Sequence, residues 1–221
     1  MHRPGRLEGR AAAASRGLAP PRAPAVAAGA AVVTAAVGAL AWRQPHPGLV
    51  DAWALHALTV SRGSFPYRFA SRLDDTMRVL GLLGGSLAAA AVAWALLRRR
   101  DAVVASLVVA PATVAAEQAL KAAGRALGLE GSTYPSGRVA LAASLVLLLL
   151  LVLRAAGVPP LVGASVAVLG AVYVLSMAWA RVATGEHRLT DAVGGMSLGV
   201  AVTLVTSLVL TTPRRQKKGR R

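Results

Sequence analysis

Six apolar runs, each near the length of a membrane span, limit what this chain can fold into. A helix needs about 20 apolar residues to cross the hydrocarbon core of a bilayer. The chain has 221 residues and is 55% hydrophobic, which is too much apolar material for one soluble domain. We therefore predict an all-α, polytopic membrane protein built as a six-transmembrane-helix bundle. The predicted spans are 25–42, 77–97, 102–120, 139–156, 158–180 and 190–212.

The positions of the charged residues predict how the chain is oriented in the membrane. If the N-terminus is inside, then 1–24, 98–101, 213–221 and Arg154 face the cytoplasm, with 15 Lys and Arg against two acidic residues. These inner parts carry a net +13, and the outer parts carry the other +3 of the total +16. Cytoplasmic loops are enriched in basic residues, so we predict a multi-pass plasma-membrane protein with both termini cytoplasmic. Charge placed in this way argues against a nucleic-acid partner.

Composition divides the chain into three parts. Residues 1–24 are rich in Arg, Ala, Gly and Pro and are predicted to be a disordered basic cytoplasmic tail. Residues 25–212 form the membrane domain, and 213–221 form a second basic cytoplasmic tail. The longest loop, 43–76, mixes aromatic and basic residues as an interfacial helix does, either as a filler or as a lid. The chain has no cysteine, which excludes a disulfide, a Cys-based metal site and a thiol nucleophile.

The segment between the last two apolar runs carries three polar side chains that could act together. Arg181, His187 and Asp191 lie where two predicted spans meet, and polar groups in such places are usually functional. His187 and Asp191 are four residues apart, so on a helix they share a face and the carboxylate can fix the ring tautomer. A neutral imidazole beside a guanidinium suits nucleophilic attack on an anion such as a phosphate. The alternative is a structural His–Asp pair beside an arginine that reaches to the interface.

Two further segments place polar groups at span ends on the same predicted outer side. Ser136 and Gly137 precede an apolar run, where a hydroxyl and free backbone N–H groups can hold an anion. Lys121 ends the preceding run and Arg125 follows one helical turn later, so both can point at one anion. We expect Glu117, one turn before Lys121, to pair with its ammonium group. The alternatives are a plain helix cap and basic side chains that reach to the interface.

These segments resemble the three motifs of the type 2 phosphatidic acid phosphatase family, which read K-x6-R-P, P-S-G-H and S-R-x5-H-x3-D. The third motif matches at Arg181, His187 and Asp191, with Ala180 in place of the leading Ser. The motif region extends from about residue 121 to 195, and the helical layout extends the resemblance over most of the chain. The order of the motifs, each at the end of a predicted span, makes a chance match improbable.

The other two motifs match only in part. The second motif is present at residues 135–137, but Arg138 stands where the family has His. The first motif retains Lys121, but Gly128 stands where the family has Arg, and the nearest arginine is Arg125. Both departures concern groups that would bind or protonate the phosphate ester.

The resemblance implies a bundle of the phosphatase and haloperoxidase type that hydrolyses a phosphomonoester or diphosphate of a lipid, such as phosphatidic acid or a polyprenyl phosphate. It implies that His187 attacks phosphorus to form a phosphohistidine, while Asp191 accepts a hydrogen bond from the far ring nitrogen. It further implies a site without a metal or other cofactor, whose partners are the bilayer and a phosphorylated lipid. The charge count places Lys121, Arg138, Arg181 and His187 outside, so we expect this site to be extracytoplasmic. The groups that would bind the phosphate are Arg181, Lys121, Arg125, Ser136, Gly137 and Arg138.

Arg138 leaves alternatives open, because an arginine has a pKa above 12 and cannot act as a general acid near neutral pH. The enzyme would then use another proton donor or a substrate with a good leaving group such as pyrophosphate. His56 is one candidate donor if the 43–76 loop folds over the site. Loss of an acid–base group lowers rates by about 10²–10⁴-fold, so low activity is a second possibility. A third is a catalytically weakened protein that binds phosphorylated lipid without efficient turnover.

Overall fold

The computed structural model describes residues 18–43, 46–128 and 133–211. Within these ranges the regular structure consists of eight helices and no strands, which confirms the predicted all-α class. The helices are α1 (Ala23–Arg43), α2 (Leu49–Leu58), α3 (Phe65–Asp75), α4 (Val79–Leu97), α5 (Arg100–Ala126), α6 (Gly137–Ala155), α7 (Pro160–Ala183) and α8 (Leu189–Thr211).

Five helices of the described chain are long and apolar enough to cross a membrane, where the sequence predicted six spans. They are α1, α5, α6, α7 and α8, which makes this a multi-pass membrane protein. The predicted span 77–97 forms helix α4, which has 19 residues, and its stretch Gly81–Leu97 is apolar. At about 1.5 Å per residue, α4 nearly matches the hydrocarbon thickness.

Helix α8 lies at the centre of the bundle, where it packs against α1, α5 and α6. Its glycines allow α6 to approach closely. A Cβ atom added to Gly195 would lie 2.4 Å from the Ser136 carbonyl oxygen, and one added to Gly199 would lie 2.3 Å from that of Ala140. Small residues four apart are typical of close helix contacts in membranes. This packing brings the start of α6 to the start of α8, which is where two of the motifs lie.

Hydroxyl groups inside the bundle are hydrogen-bonded between helices. The Oγ1 atom of Thr113 on α5 lies 2.8 Å from the Oγ atom of Ser144 on α6. Ser144 also donates to the Gly199 carbonyl oxygen at 3.2 Å, and Thr203 donates to the same oxygen at 2.8 Å. Such bonds satisfy polar groups that have no access to water in a bilayer. These hydrogen bonds fix the positions of α5, α6 and α8 relative to one another.

The loop 43–76 forms two short helices that cover the end of the bundle where α7 meets α8. In α2, Asp51 accepts hydrogen bonds from the Thr190 backbone N–H at 2.9 Å and from its hydroxyl at 2.8 Å. In α3, the Ser64 hydroxyl caps the helix by accepting from the Tyr67 N–H. The buried Ala70 of α3 packs against the last turn of α7. The loop therefore folds onto the site end of the bundle.

The two predicted tails fall mostly on residues outside the described ranges. The segments 1–17 and 212–221 lie outside them, and so does the whole predicted C-terminal tail. In the described part of the N-terminal tail, Leu18 is buried and its N–H donates to the Thr211 hydroxyl at 3.1 Å. Helix α1 starts at Ala23, slightly before the predicted boundary at residue 25.

Candidate active site

The third motif forms the turn between α7 and α8. Arg181 lies in the last turn of α7, and its carbonyl oxygen accepts from the backbone N–H groups of Glu186 and His187. Gly185 has a φ of +73°, a conformation that glycine adopts without strain, so the chain can reverse here. His187 precedes α8 by two residues and is not on its helical face, yet the predicted pair with Asp191 forms. The distance from His187 Nδ1 to Asp191 Oδ2 is 3.1 Å.

Asp191 holds the imidazole from a buried position. Its side chain is 2% exposed, and Oδ2 accepts from His187 Nδ1, from the Thr133 hydroxyl and from the Arg188 backbone N–H. Because the carboxylate accepts, Nδ1 carries the proton of the neutral ring and Nε2 keeps its lone pair. Burial lowers the pKa of His187 below its ordinary value, against the opposing hydrogen bond to Asp191. The imidazole is therefore neutral at physiological pH, as a nucleophile requires.

A cavity of about 300 Å³ lies beside His187, and its wall is strongly cationic. Four basic side chains line it against one carboxylate, with apolar side chains on the remaining wall. Such a lining suits an anionic group attached to an apolar body. The polar lining residues are Arg78, Glu117, Lys121, Arg138, Arg181 and His187. The others are Met77, Leu82, Val114, Gly137 and Leu141.

Lys121 reaches the cavity in the predicted contact with Glu117. The ammonium group contacts Glu117 Oε1, and Gln118 donates to Oε2 at 2.7 Å, so the carboxylate is bonded on both oxygens. A Cβ atom at Gly137 would lie 2.8 Å from Glu117 Cδ, so this glycine leaves room for the carboxylate. Arg125 is exposed in the last turn of α5 and is not among the described residues that line the cavity. The structure thus brings Lys121 to the site without Arg125.

Arg138 and Arg181 meet at a carboxylate that the sequence analysis missed. Asp74, near the end of α3, accepts from Arg181 Nη1 at 2.8 Å through Oδ1 and from Arg138 Nη1 through Oδ2. Glu186, whose side chain is 52% exposed, lies 2.5 Å from Arg181 Nη1 and 3.9 Å from Arg138 Nη1. No spacing in the sequence links residue 74 to these arginines, so only the fold shows the contact.

Ser136 is joined to the third motif through its backbone. Its N–H donates to the Asp191 carbonyl oxygen at 3.0 Å, which locks the start of α6 to the start of α8. Its hydroxyl forms no helix-cap hydrogen bond, so the plain-cap interpretation lacks its defining contact. Among the described residues, Ser136 Oγ and Arg181 Nε are buried without a hydrogen-bond partner. Buried polar atoms are nearly always bonded. Arg181 lines the cavity, so its Nε is available to a bound anion, whereas Ser136 is not among the described residues that line it.

Two other sequence hypotheses are addressed by the structure. His56 is exposed on α2 and does not belong to the described cavity lining, so it gains no support as a proton donor. In the described ranges, no group of three or more His, Cys, Asp and Glu side chains is placed to hold a metal ion.

Comparison with known proteins identifies the family. A family model described as the PAP2 superfamily matches residues 80–215, which is more than half of the chain. The chain belongs to the PAP2 superfamily. The match includes Lys121, Arg138, Arg181, His187 and Asp191, and it supports a phosphatase-type function on a phosphorylated substrate. Searches of curated proteins and of solved structures returned no match to the chain.

Proposed function

We propose that this PAP2 protein is a lipid-phosphate phosphatase that hydrolyses a phosphomonoester or diphosphate of a lipid through a phosphohistidine. The observation that carries the proposal is His187, held by Asp191 at 3.1 Å in the wall of a cation-lined cavity. The apolar part of the same wall suits a lipid chain next to the phosphate. The phosphorylated lipid and the bilayer are the partners, and the reaction uses no metal or other cofactor.

In the first step, Nε2 of His187 attacks phosphorus and the bond from phosphorus to the leaving oxygen breaks. Arg181, Arg138 and Lys121 bind the non-bridging oxygens and stabilise the negative charge of the transition state. Asp191 stabilises the ring when it becomes positively charged. In the second step, water attacks the phosphohistidine, which releases inorganic phosphate and restores the imidazole.

The leaving group distinguishes possible substrates. An alkoxide needs a proton as it leaves, and Arg138 does not supply one near neutral pH. When a lipid diphosphate is attacked at its terminal phosphorus, the leaving group is the lipid monophosphate, an anion that is stable without protonation. Within the proposed class, the site therefore favours a lipid diphosphate over a simple lipid phosphomonoester.

A second candidate function is binding of phosphorylated lipid without efficient turnover. It is favoured by Arg138, which stands where the family has His and is already paired with Asp74. Arginine is a strong ligand for phosphate and a poor acid, so the same cavity would retain affinity while losing rate.

We propose the orientation in the membrane from the distribution of charge. The net +13 of the predicted inner segments against +3 outside supports cytoplasmic termini and a site on the extracytoplasmic face of the plasma membrane. The test introduces single cysteines as His2→Cys, Gly219→Cys and Gly131→Cys in intact cells. An impermeant thiol reagent is expected to label only position 131. Labelling of positions 2 and 219 instead would reverse the orientation.

The function is tested by measuring phosphate release from purified protein on a panel that contains phosphatidic acid, a polyprenyl phosphate and a polyprenyl diphosphate. Wild type is expected to release phosphate in excess EDTA, with the diphosphate fastest. His187→Ala is expected to lower the rate by about 10⁴-fold or more, as loss of a nucleophile does.

His56→Ala is the matched control, because His56 is exposed and outside the described cavity lining. Release by His187→Ala within a few-fold of wild type would remove His187 from the mechanism. Loss of turnover on chelation, restored by a divalent ion, would show a different reaction class. Tight binding of a lipid phosphate by wild type without release would establish the second candidate function.

A further inference from the structure

Asp74 brings one buried carboxylate to two of the three arginines that line the cavity, Arg138 and Arg181. Its side chain is 5% exposed, in the last turn of α3. Each carboxylate oxygen binds a different guanidinium: Oδ1 accepts from Arg181 Nη1 and Oδ2 accepts from Arg138 Nη1. Because the two arginines come from different helices, this shared carboxylate sets the distance between their guanidinium groups.

The carboxylate holds the arginines from outside the cavity. Arg138 and Arg181 line the cavity, whereas Asp74 is not among the described residues that do. Asp74 engages only Nη1 of each guanidinium, and a guanidinium has five N–H donors. The other donors, including the unpartnered Arg181 Nε, remain for a second anion. The position of Asp74 and the position of a phosphate in the cavity are therefore distinct.

Two neighbouring guanidinium groups need such a partner. Their positive charges repel, and each long side chain loses rotamer freedom when it is fixed in one place. A buried carboxylate between them offsets the repulsion and holds both side chains before any substrate arrives. Preorganised side chains bind a phosphate more tightly than side chains that become ordered only when the substrate binds.

The geometry points to Asp74 as a positioning residue that holds Arg138 and Arg181 in the arrangement that binds the phosphate group. This role rests on the proposed function, which makes the two arginines phosphate ligands. It also assigns a role to α3, because the packing of Ala70 against α7 places Asp74 beside Arg138 and Arg181. The opposite reading is that Asp74 is an internal anion that competes with the phosphate.

The two readings predict opposite signs for Asp74→Asn. Asparagine has the same shape, but it is uncharged and its single carbonyl oxygen cannot serve both arginines as the carboxylate does. We expect affinity for a short-chain phosphatidic acid, and for inorganic phosphate as a competitor, to fall about 10- to 100-fold. Any kcat/KM for phosphate release should fall at least as much. Unchanged or tighter binding with a wild-type melting temperature would overturn the proposal.

A control and a coupling test separate positioning from general stability. Asp101→Asn makes the same change in a carboxylate that is paired with Arg99. Asp101 lies in the first turn of α5, far along that helix from Lys121, so this variant should leave the affinity for phosphate unchanged. Arg138→Gln and the double variant with Asp74→Asn complete a cycle. If Asp74 acts through the arginines, its substitution should weaken binding less in the Arg138→Gln background. Equal losses in both backgrounds would contradict the assignment.

Asp74→Glu covers the case in which Asp74→Asn does not fold. Glutamate keeps the charge and moves the carboxylate outward by one methylene group. A several-fold loss of affinity at a wild-type melting temperature supports positioning, and wild-type affinity contradicts it. Because affinity is measured apart from turnover, the outcomes also separate the two proposals. A wild-type protein that binds lipid phosphate without releasing phosphate would fail the proposed catalysis while leaving the role of Asp74 open to the same binding test.

Discussion

Two buried carboxylates of the site, Asp191 and Asp74, meet their basic partners in different ways. His187 and Asp191 are four residues apart and meet across one turn. Arg138 and Arg181 meet at Asp74, which is 64 and 107 residues away along the chain. The first pair depends on a local turn and the second on how three helices pack. Local sequence therefore specifies the proposed nucleophile, whereas tertiary packing specifies the arginines proposed to bind the phosphate.

The two contacts also differ in how they relate to the family pattern. The His187–Asp191 pair follows the third motif. The arginine contact is formed by Arg138, which departs from the second motif, together with Asp74, which no motif contains. The chain thus retains the proposed nucleophile and alters the groups that, in the proposed mechanism, surround the phosphate and the leaving oxygen. Changes to each contact should therefore affect different kinetic parameters.

The largest effect in this comparison is expected for Asp191→Asn. The amide NH₂ group can donate to Nδ1 and so favour the tautomer in which Nε2 carries the proton, which removes the nucleophile. We expect kcat to fall about 10²–10⁴-fold, as in other histidines that lose their orienting carboxylate. Affinity for inorganic phosphate should change little, because Asp191 has no described contact with the side chains of Arg138 and Arg181. Steady-state rates and phosphate inhibition measure the two effects.

The same variant has a defined pH signature. His187 must be neutral to attack, so kcat/KM falls as pH decreases through its pKa. Burial lowers that pKa, so the acid limb of wild type should lie below the ordinary histidine value of about 6.5. Asp191 opposes the shift, so Asp191→Asn should move the limb to lower pH still. Asp51→Asn, at the same end of α8, is the control. If the acid limb of Asp191→Asn stays where it is in wild type, Asp191 does not set the pKa of His187 in the reaction.

Hydropathy and spacing predicted much of the fold and the local half of the site. The predicted spans 139–156 and 158–180 nearly coincide with α6 and α7, because long apolar runs permit little but a membrane helix. The contact of His187 with Asp191 was predicted from four-residue spacing. Asp74 and Thr133 were missed because each reaches its partner only through tertiary packing. Arg125 was predicted at the site from its one-turn spacing to Lys121, but it is not among the described residues that line the cavity, because spacing alone does not say which way each side chain of α5 points.

A middle-sized effect is expected for Arg138→His. The introduced imidazole would lie beside Asp74, which favours its protonated form and makes it a proton donor. We expect turnover of simple alkyl phosphates to rise about 10-fold, part of the gain that a well-placed acid provides. A diphosphate or an aryl phosphate should gain less, because its leaving group is already stable as an anion. A variant that was merely more stable would instead raise the turnover of all these substrates alike.

The measurement for Arg138→His is a set of rates on both substrate types, with affinity for one lipid phosphate in wild type and variant. Arg138→Gln is the control, since it removes the same charge and adds no acid. A gain confined to the alkyl substrate would show that the site is a phosphatase geometry that lacks its acid. Absence of that gain, together with weakened binding, would instead support a protein that binds without turnover.

The smallest effect is expected for Glu186→Gln, and its sign sharpens the contrast with Asp74. Both carboxylates contact Arg181 Nη1, but the Glu186 side chain is 52% exposed at the rim and that of Asp74 is 5% exposed. An exposed carboxylate contributes little to holding an arginine, and it competes with an incoming anion for the same donor. We therefore expect Glu186→Gln to tighten phosphate binding about two- to three-fold, where Asp74→Asn weakens it. Salt screens exposed charges more than buried ones, so the gain from Glu186→Gln should shrink as ionic strength rises, while the loss from Asp74→Asn persists. Phosphate inhibition constants at low and high salt test this, and losses of similar size in both variants would mean that the two carboxylates share one role.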